Sequence, residues 1–423
     1  MSKTRNFGFG KTVMQGFNDI LYIWGKEMKS VIKDQGVWLF FLVVPLVYPL
    51  VYSLIYNTEV IREVPVVVID NSHSFKSREF LRKVDATPDV KIAAYVGDMV
   101  EARNMLREKK AYGIIYIPST FAKDIYRMVQ THVSIFCDMS GLLYYKSLLI
   151  ACTDVSLDMN NDIKVDRAGN TTEQQDEVTR YPINYESVAM YNPQNGFASF
   201  LIPAVLILII QQTLLLGVGL SAGTARESNQ FKDLVPINNH YNGTLRIVFG
   251  KGLCYFMVYA IDSVYVLGVV PWIFKLNQIA MPWTLIGFIV PFIIACIFFA
   301  MTCSIFVRSR ELCFLIFLFC SVPLLFISGI SWPGTAIPPF WKVVSYIFPS
   351  TFGINGFVRV NSMGATLNEV KFEYQALWLQ AGIYFITTCV VYRWQILNSR
   401  IHVVRKYKEM KKAGYLSLHN VQE

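Results

Sequence analysis

The sequence predicts an α-helical polytopic membrane protein with six spans, both termini cytoplasmic, and an extracytoplasmic α/β domain inserted between the first and second spans. Three observations carry this. Only 16% of the 423 residues are charged and 53% are hydrophobic, where an ordinary soluble domain carries about 25% charged residues. The charges avoid several long apolar blocks, and blocks of about 18 apolar residues or more read as membrane-crossing helices. Finally, the net charge of +9 combines two unlike parts. Residues 58–196 hold 16 basic and 19 acidic residues, a net of −3, while the rest of the chain holds 23 basic and 11 acidic, a net of +12. Basicity therefore belongs to the membrane part and its flanks, where it reads as topology rather than as nucleic-acid binding.

Residues 1–35 form a tail and an amphipathic helix. Phe17, Ile20, Leu21, Trp24, Met28 and Val31 recur at intervals of three and four, with Lys26, Lys29 and Lys33 off that stripe, the pattern of a helix lying on the inner membrane face. The first span is expected at 36–56, too deep in the chain for a cleavable signal, with Pro45 and Pro49 predicting a kink. The other spans are expected at 197–220, 252–274, 283–307, 312–330 and 374–394, all within a membrane region of 197–396. A basic cytoplasmic tail follows at 397–423. Lys and Arg cluster in the N-terminal tail, between spans two and three, between spans four and five (Arg308, Arg310) and in the C-terminal tail. With six spans these regions share one side, which the positive-inside rule makes cytoplasmic.

The inserted domain, residues 57–196, alternates strands with helices, as a small α/β domain does. Val64–Asp70 is a short apolar run fit for a buried strand, and further strands are expected at 91–96, 113–117 and 133–138. Helices are expected at 77–84, after a cap at Asp98 with Glu101 three residues on, from Ser119, and over 142–163. Residues 166–178 are polar and read as a loop. Asp70 and Asp138 end strands and read as turn or capping groups. Cys137 and Cys152 read as small core residues or, in an oxidising space, as a disulfide.

No catalytic set emerges. The five histidines are scattered, no Cys-x-x-Cys occurs, and no metal site is expected. No phosphate-binding loop is present, since Gly250-Lys251-Gly252 opens a span rather than following a strand. The chain is thus expected to bind no cofactor and to hydrolyse no ATP through such a loop. Two polar features lie inside spans. Asp262 sits mid-span between Tyr259 and Tyr265 and reads either as a group on a substrate path or proton site, or as a hydrogen-bonded tie between helices. Gln211 and Gln212 read as packing contacts.

Several stretches in order resemble the permease subunits of type-2 ABC transporters, particularly exporters with a large domain after the first span. They are KEMKSVIKDQGVWLFFLVVP, VPVVVIDNSHSFKSREF, YGIIYIPSTFAKDI, the Ala225-Arg226-Glu227, Pro236 and Gly250-Lys251 series, and SGISWPGTAIPPFWKVVSYIFPSTFGINGFVRV. One departure is RESNQFKDLVP, which lacks the family's Gly-Thr pair and is about four residues shorter, close to one helical turn. The resemblance implies a permease that moves an amphiphilic or hydrophobic substrate, such as a drug or lipid, out of the cytoplasm or inner leaflet of a bacterial inner membrane. It implies as partners an ABC ATPase subunit that binds the ATP, a second permease chain, identical or paralogous, and membrane lipid. In a double-membrane bacterium a periplasmic adaptor and outer-membrane channel join them. The loop 221–249 is then the coupling loop, with Arg226 and Glu227 as its charged rim and Phe231, Leu234 and Pro236 as anchor. The apolar outer loop 331–373, with Trp332, Pro333, Pro338 and Pro349, is then an outer gate. Pro338-Pro339 would start one short helix and Ser350 would cap another. The alternative is a membrane-anchored enzyme or binding protein whose extracytoplasmic domain is the functional part.

Overall fold

The computed structural model describes residues 9–57, 60–169, 172–183, 188, 190–193, 196–228, 234, 241 and 243–419. The chain is mostly helical, at 71%, and it is a multi-pass membrane protein. Among the described residues five helices are long and apolar enough to cross a membrane. It divides into two units, Thr58–Ala189 and the remainder.

The membrane unit starts with α1 (Phe9–Lys33). Its packed face carries Asp19, Ile23, Glu27 and Val31, all buried, while Phe17, Leu21 and Ile32 on other faces are exposed. The predicted stripe is thus split, and the buried edge includes two acids. α2 (Gln35–Ile55) follows a cap by Asp34, whose Oδ1 accepts from Gly36 N at 3.0 Å and Val37 N at 3.4 Å. The predicted proline kink takes the form of a π-helical turn over Leu39–Val43, just before Pro45. Proline cannot donate its backbone bond and crowds the carbonyl four residues back; widening the helix relieves both.

In the other unit, β1 (Val64–Asp70) leads through α3 (Phe75–Asp85) to β2 (Val90–Tyr95), then through α4 (Met99–Arg107) to β3 (Gly113–Ile117). α5 (Phe121–Tyr126), β4 (Ser134–Cys137), α6 (Leu142–Ala168) and α7 (Glu173–Arg180) complete it. The sheet order is β2-β1-β3-β4, with β4 antiparallel to β3 and the other pairs parallel. Alternation along β1 serves two cores. Val66 and Val68 pack with α3, α5 and α6, while Val67 and Ile69 pack with α4. A strand buried on both faces reads as a continuous apolar run, as VPVVVID does.

Asp70 Oδ1 accepts from Ser72 N and His73 N, and its Oδ2 from Ser77 Oγ at 2.7 Å, so it pins the turn into α3. Cys137 and Cys152 are free thiols, and burial pushes that of Cys152 up to about 12. The predicted loop at 166–178 is instead largely helical. α6 runs on to Ala168, and Thr172 with Gln175 forms a capping box that starts α7. Arg180 pairs with Asp162 at 3.4 Å. A polar helix held by a cap and an ion pair has no apolar periodicity to betray it.

The membrane unit resumes with α8 (Phe197–Ser228), α9 (Thr244–Ile273), α10 (Pro282–Cys303), α11 (Arg310–Ile327), α12 (Pro339–Ser345), α13 (Pro349–Met363) and α14 (Lys371–His419). α8 is the central post. Its most apolar window is 94% buried, against 22% for α2 and α14. α9 carries a second π-helical turn, Tyr265–Val269, again just before a proline, Pro271. Three expected boundaries move. α8 runs to Ser228 and α9 starts at Thr244, so both ends of the expected loop 221–249 are helical, and the expected tail 397–423 continues α14 as far as His419. Apolar blocks mark where a helix crosses lipid, whereas its backbone bonds continue wherever neighbours cover it.

Phe41, in the first π-turn, is fully buried with its ring 5.5 Å from those of Tyr255 and Tyr259. A Cβ on Gly217 of α8 would lie 2.2 Å from that ring. Gly217→Val should therefore cost at least the 1–3 kcal/mol or so typical of overpacking, read as a lower melting temperature of the purified chain. Phe41→Ala should recover part of the loss in the double variant; an unchanged melting temperature in the single variant would refute this wedge.

Candidate functional site

Where α1 meets the ends of α8, α9 and α11, two acids on its edge and a third just past its end fasten it to the bundle. Asp19 and Glu27, eight apart, share one side of α1, and Asp34 stands just past its end as the cap of α2. Asp19 pairs with Arg246 of α9. Glu27 pairs with Lys251 of α9 at 2.9 Å and also accepts from Tyr255 Oη and, at 3.1 Å, from Ser221 Oγ of α8. Asp34 accepts from Thr224 Oγ1 at 2.7 Å and from Arg310, whose Nε donates to the same threonine at 2.8 Å.

The middle clasp is dry. Glu27 is 6% and Lys251 5% exposed. Burial opposes the charge on Glu27, but Lys251 beside it, with hydrogen bonds from Tyr255, Lys251 and Ser221, holds the carboxyl below its ordinary range. The close fit depends on Gly250, where a Cβ would meet the Ile23 side chain at 2.8 Å and the Ile20 carbonyl oxygen at 3.0 Å. Gly250-Lys251 is thus a helix-crossing pair: the glycine admits α1 and the lysine neutralises its acid.

The expected docking residues divide. Arg226 is not a surface charge. It is 6% exposed, and its guanidinium donates to the backbone oxygens of Ile305, at 3.3 Å, and Val307. These carbonyls lie in the turn between α10 and α11, so Arg226 braces it. Glu227 accepts from the backbone N–H of Arg310 at 3.0 Å, with its second oxygen 3.8 Å from Arg310 Nε. Leu234 is 1% exposed and part of the bundle core. Phe231 and Pro236 lie outside the described residues. Lys26, expected to mark topology, stands 5.4 Å from the ring centre of Tyr241, a cation–π distance.

At the other end of the bundle Gln211 of α8 caps α13. Its Oε1 accepts from Ser350 N at 2.6 Å and its Nε2 donates to Ser350 Oγ at 3.0 Å. Ser350, expected to cap that helix, is instead inside its first turn, after Pro349. Trp332 is exposed, with Nε1 3.4 Å from the Ala336 carbonyl oxygen, which belongs to a turn closed by Ala336 N to the Pro333 carbonyl at 2.9 Å. Pro338 caps α12. Next to this segment lies a cavity of ≈200 Å³ whose lining includes Ser328, Lys342, Thr351, Asn355 and Glu373. Arg359 holds Glu373 at 3.1 Å.

Between the two ends, Asp262 is 2% exposed and its Oδ2 meets no hydrogen-bond partner among the described residues. Ser263 Oγ and both amide atoms of Gln212 are also buried without a partner among the described residues. Gln211, by contrast, is engaged through both its amide atoms.

Sequence reasoning missed Asp19, Glu27, Asp34, Lys251 and Arg310 as a set. The signal was present, since Asp19 and Glu27 on one face of a helix otherwise rich in lysine call for partners. Orientation, however, is read from Lys and Arg alone, and that reading left the acids unused.

The family described as ABC-2 family transporter protein matches residues 36–390. No curated protein matches the chain.

Proposed function

The chain belongs to the ABC-2 family of transporter proteins, whose membrane subunits work with an ABC ATPase, and we propose that it is the permease of an ATP-driven exporter for an amphiphilic or hydrophobic substrate. The clasped end is the observation that supports this most. Two acids on α1, with Asp34 just past its end, bind groups on α8, α9 and α11, so a push on α1 or on the segment after Ser228 moves several helices as one body. That is the mechanical requirement of a subunit driven by a separate motor. The ATPase docks at this end, on Glu227 and the segment containing Phe231, Leu234 and Pro236, while Arg226 keeps the adjoining turn rigid.

In this reading the clasped end and both termini are cytoplasmic and six helices span the bilayer. α11, 18 residues long, is the fifth of them. The exposed Phe17, Leu21 and Ile32 of α1 rest on the inner leaflet. The α/β domain is extracytoplasmic and meets an adaptor. α2 and α14, the least buried spans, face lipid or a second permease chain, and the loop around Trp332, Pro333, Pro338 and Pro349 closes the outer end of the path.

The experiment is purification of the tagged full-length chain from its native membrane. An ATPase bearing a phosphate-binding loop should co-purify, and the complex should hydrolyse ATP in liposomes. Transport by the chain alone, with no nucleotide-binding partner, would overturn the reading.

A further inference from the structure

Lys251, Tyr255, Tyr259 and Asp262 follow one another at steps of four, four and three along α9, and all four are buried. One polar stripe thus runs from the clasped end into the middle of the span. The first three members are satisfied. Lys251 and Tyr255 bind Glu27, and Tyr259 Oη donates to Thr213 Oγ1 of α8 at 3.0 Å. Asp262 ends the stripe with an unpartnered oxygen, three residues before the π-turn. Its neighbour Ser263 is unpartnered too, as is Gln212, which adjoins Thr213 on α8. Polar atoms buried in this way are rare and call for an occupant.

Among the described residues no cation of the elements packed against α9 supplies one. α9 packs against α1, α2, α8, α10 and α14. Lys26, Lys29 and Lys33 of α1 are exposed, and its acids are already paired. α2 and α10 contain no Lys, Arg, Asp, Glu or His at all, and α8 none before Arg226. On α14, Glu373 pairs with Arg359, and Lys371, Arg393 and Arg400 are exposed. On α9 itself the titratable groups one turn either side are the phenols of Tyr259 and Tyr265, which bring no positive charge. A divalent metal ion is a poor fit as well, since one carboxylate gives too few oxygen ligands, and no cluster of metal-binding side chains occurs among the described residues.

We propose that Asp262 is the anionic contact for the positively charged head of an amphiphilic cargo, and that the same carboxyl holds a proton while the cargo is absent. Loading is then an exchange. The Asp262 carboxylic acid gives its proton to water, and the carboxylate left behind pairs with the incoming organic cation. Charge in the span is unchanged, so neither state leaves an uncompensated ion in a dry interior. α2, α8 and α10, which pack against α9, are apolar along their spans and suit the body of an amphiphile. The two π-turns, on the spans that meet at Phe41, are the places where the helices can rewind to admit it. This deepens the permease reading and rests on it.

The test uses the purified full-length chain in phosphatidylcholine nanodiscs, with tetraphenylphosphonium as the cation probe and triphenylphosphine oxide as its neutral control, from about pH 5.5 to about pH 8.5. Binding of the cation should release about one proton per ion, and its Kd should fall about tenfold per pH unit wherever the carboxyl is protonated. Asp262→Asn should weaken binding by about 30-fold or more and abolish proton release, and Asp262→Glu should retain both. Dicyclohexylcarbodiimide should label the Asp262 peptide, with tetraphenylphosphonium protecting it. That labelling and the wild-type pH series stand even if the Asn variant fails to fold. Absence of cation binding by the wild type overturns the proposal, as does an Asn variant that binds and releases protons like the wild type. Equal affinity for the neutral control does so too. No nucleotide or ATPase enters this assay, so its failure leaves the permease reading standing, and failure of an ATPase to co-purify leaves the cation site standing.

Discussion

Lys251→Met should be among the most damaging single changes in the membrane unit, because it strands the buried carboxylate of Glu27 without its counter-charge. Breaking such a pair from one side costs about 3–5 kcal/mol. The expected readout is a large fall in melting temperature, or loss of monodisperse protein, for the purified chain. Glu27→Gln alone leaves the lysine stranded and should do comparable harm. The double variant Glu27→Gln/Lys251→Met carries no buried charge and should recover much of the loss, giving a coupling energy in a double-mutant cycle. The pH dependence has a definite sign. The Glu27 carboxyl is held below its ordinary range, so its stabilisation is fully present above the unfolded value of about 4.3. It is lost as pH falls through the lower folded value. Acid melting should therefore set in at higher pH in any variant that loosens the clasp. Additive single-variant effects would show that the two side chains do not act as a pair.

Arg226→Ala tests the residue that the structure reassigns. Its loss leaves the carbonyls of Ile305 and Val307 without their charged donor in a buried turn, at about 1–3 kcal/mol for a stranded buried group. The isolated chain, with no ATPase present, should melt lower. Arg226→Lys should fall between, since an ammonium keeps the charge but lacks the planar fork that reaches two acceptors. Charge reversal to Glu should be worst, setting a carboxylate against carbonyl oxygens. A pure docking charge behaves differently. Its removal would leave the melting temperature of the free chain unchanged and abolish only ATP-driven turnover. Both readouts belong in one experiment.

Much of the architecture was legible because it is local. VPVVVID is apolar at every position but its proline and its last residue, and it is the strand buried on both faces. Asp98 followed by Glu101 predicts a helix start, and Asp98 does accept from Val100 N and Glu101 N. Pro45 and Pro49 predict a kink in the first span, and a π-turn stands just before Pro45. Where reading failed, the cause was also local. Residues 166–178 lack apolar periodicity, and only the Thr172 and Gln175 capping box announces the helix. α8 and α9 outrun the apolar blocks at 197–220 and 252–274. Arg226 and Lys251 instead continue their helices, covered by neighbours.

The candidate site was legible in its parts but not in its pairing. Arg226 and Asp262 stand out by type and position, yet one is fully engaged and the other has an oxygen with no partner. Gln211, read as packing, caps a helix by bonding Ser350, 139 positions later.

The sequence by itself determined which segments are helix, strand or apolar span, since these follow from spacing of one to four residues and from composition. Only the tertiary structure decided which charges are solvated, which are paired and which are stranded. Glu27 and Tyr255 lie 228 positions apart, and whether a buried charge is tolerated depends on partners brought that far through the chain. Within a span the cost of a charge is fixed by what touches it, and only the fold specifies that.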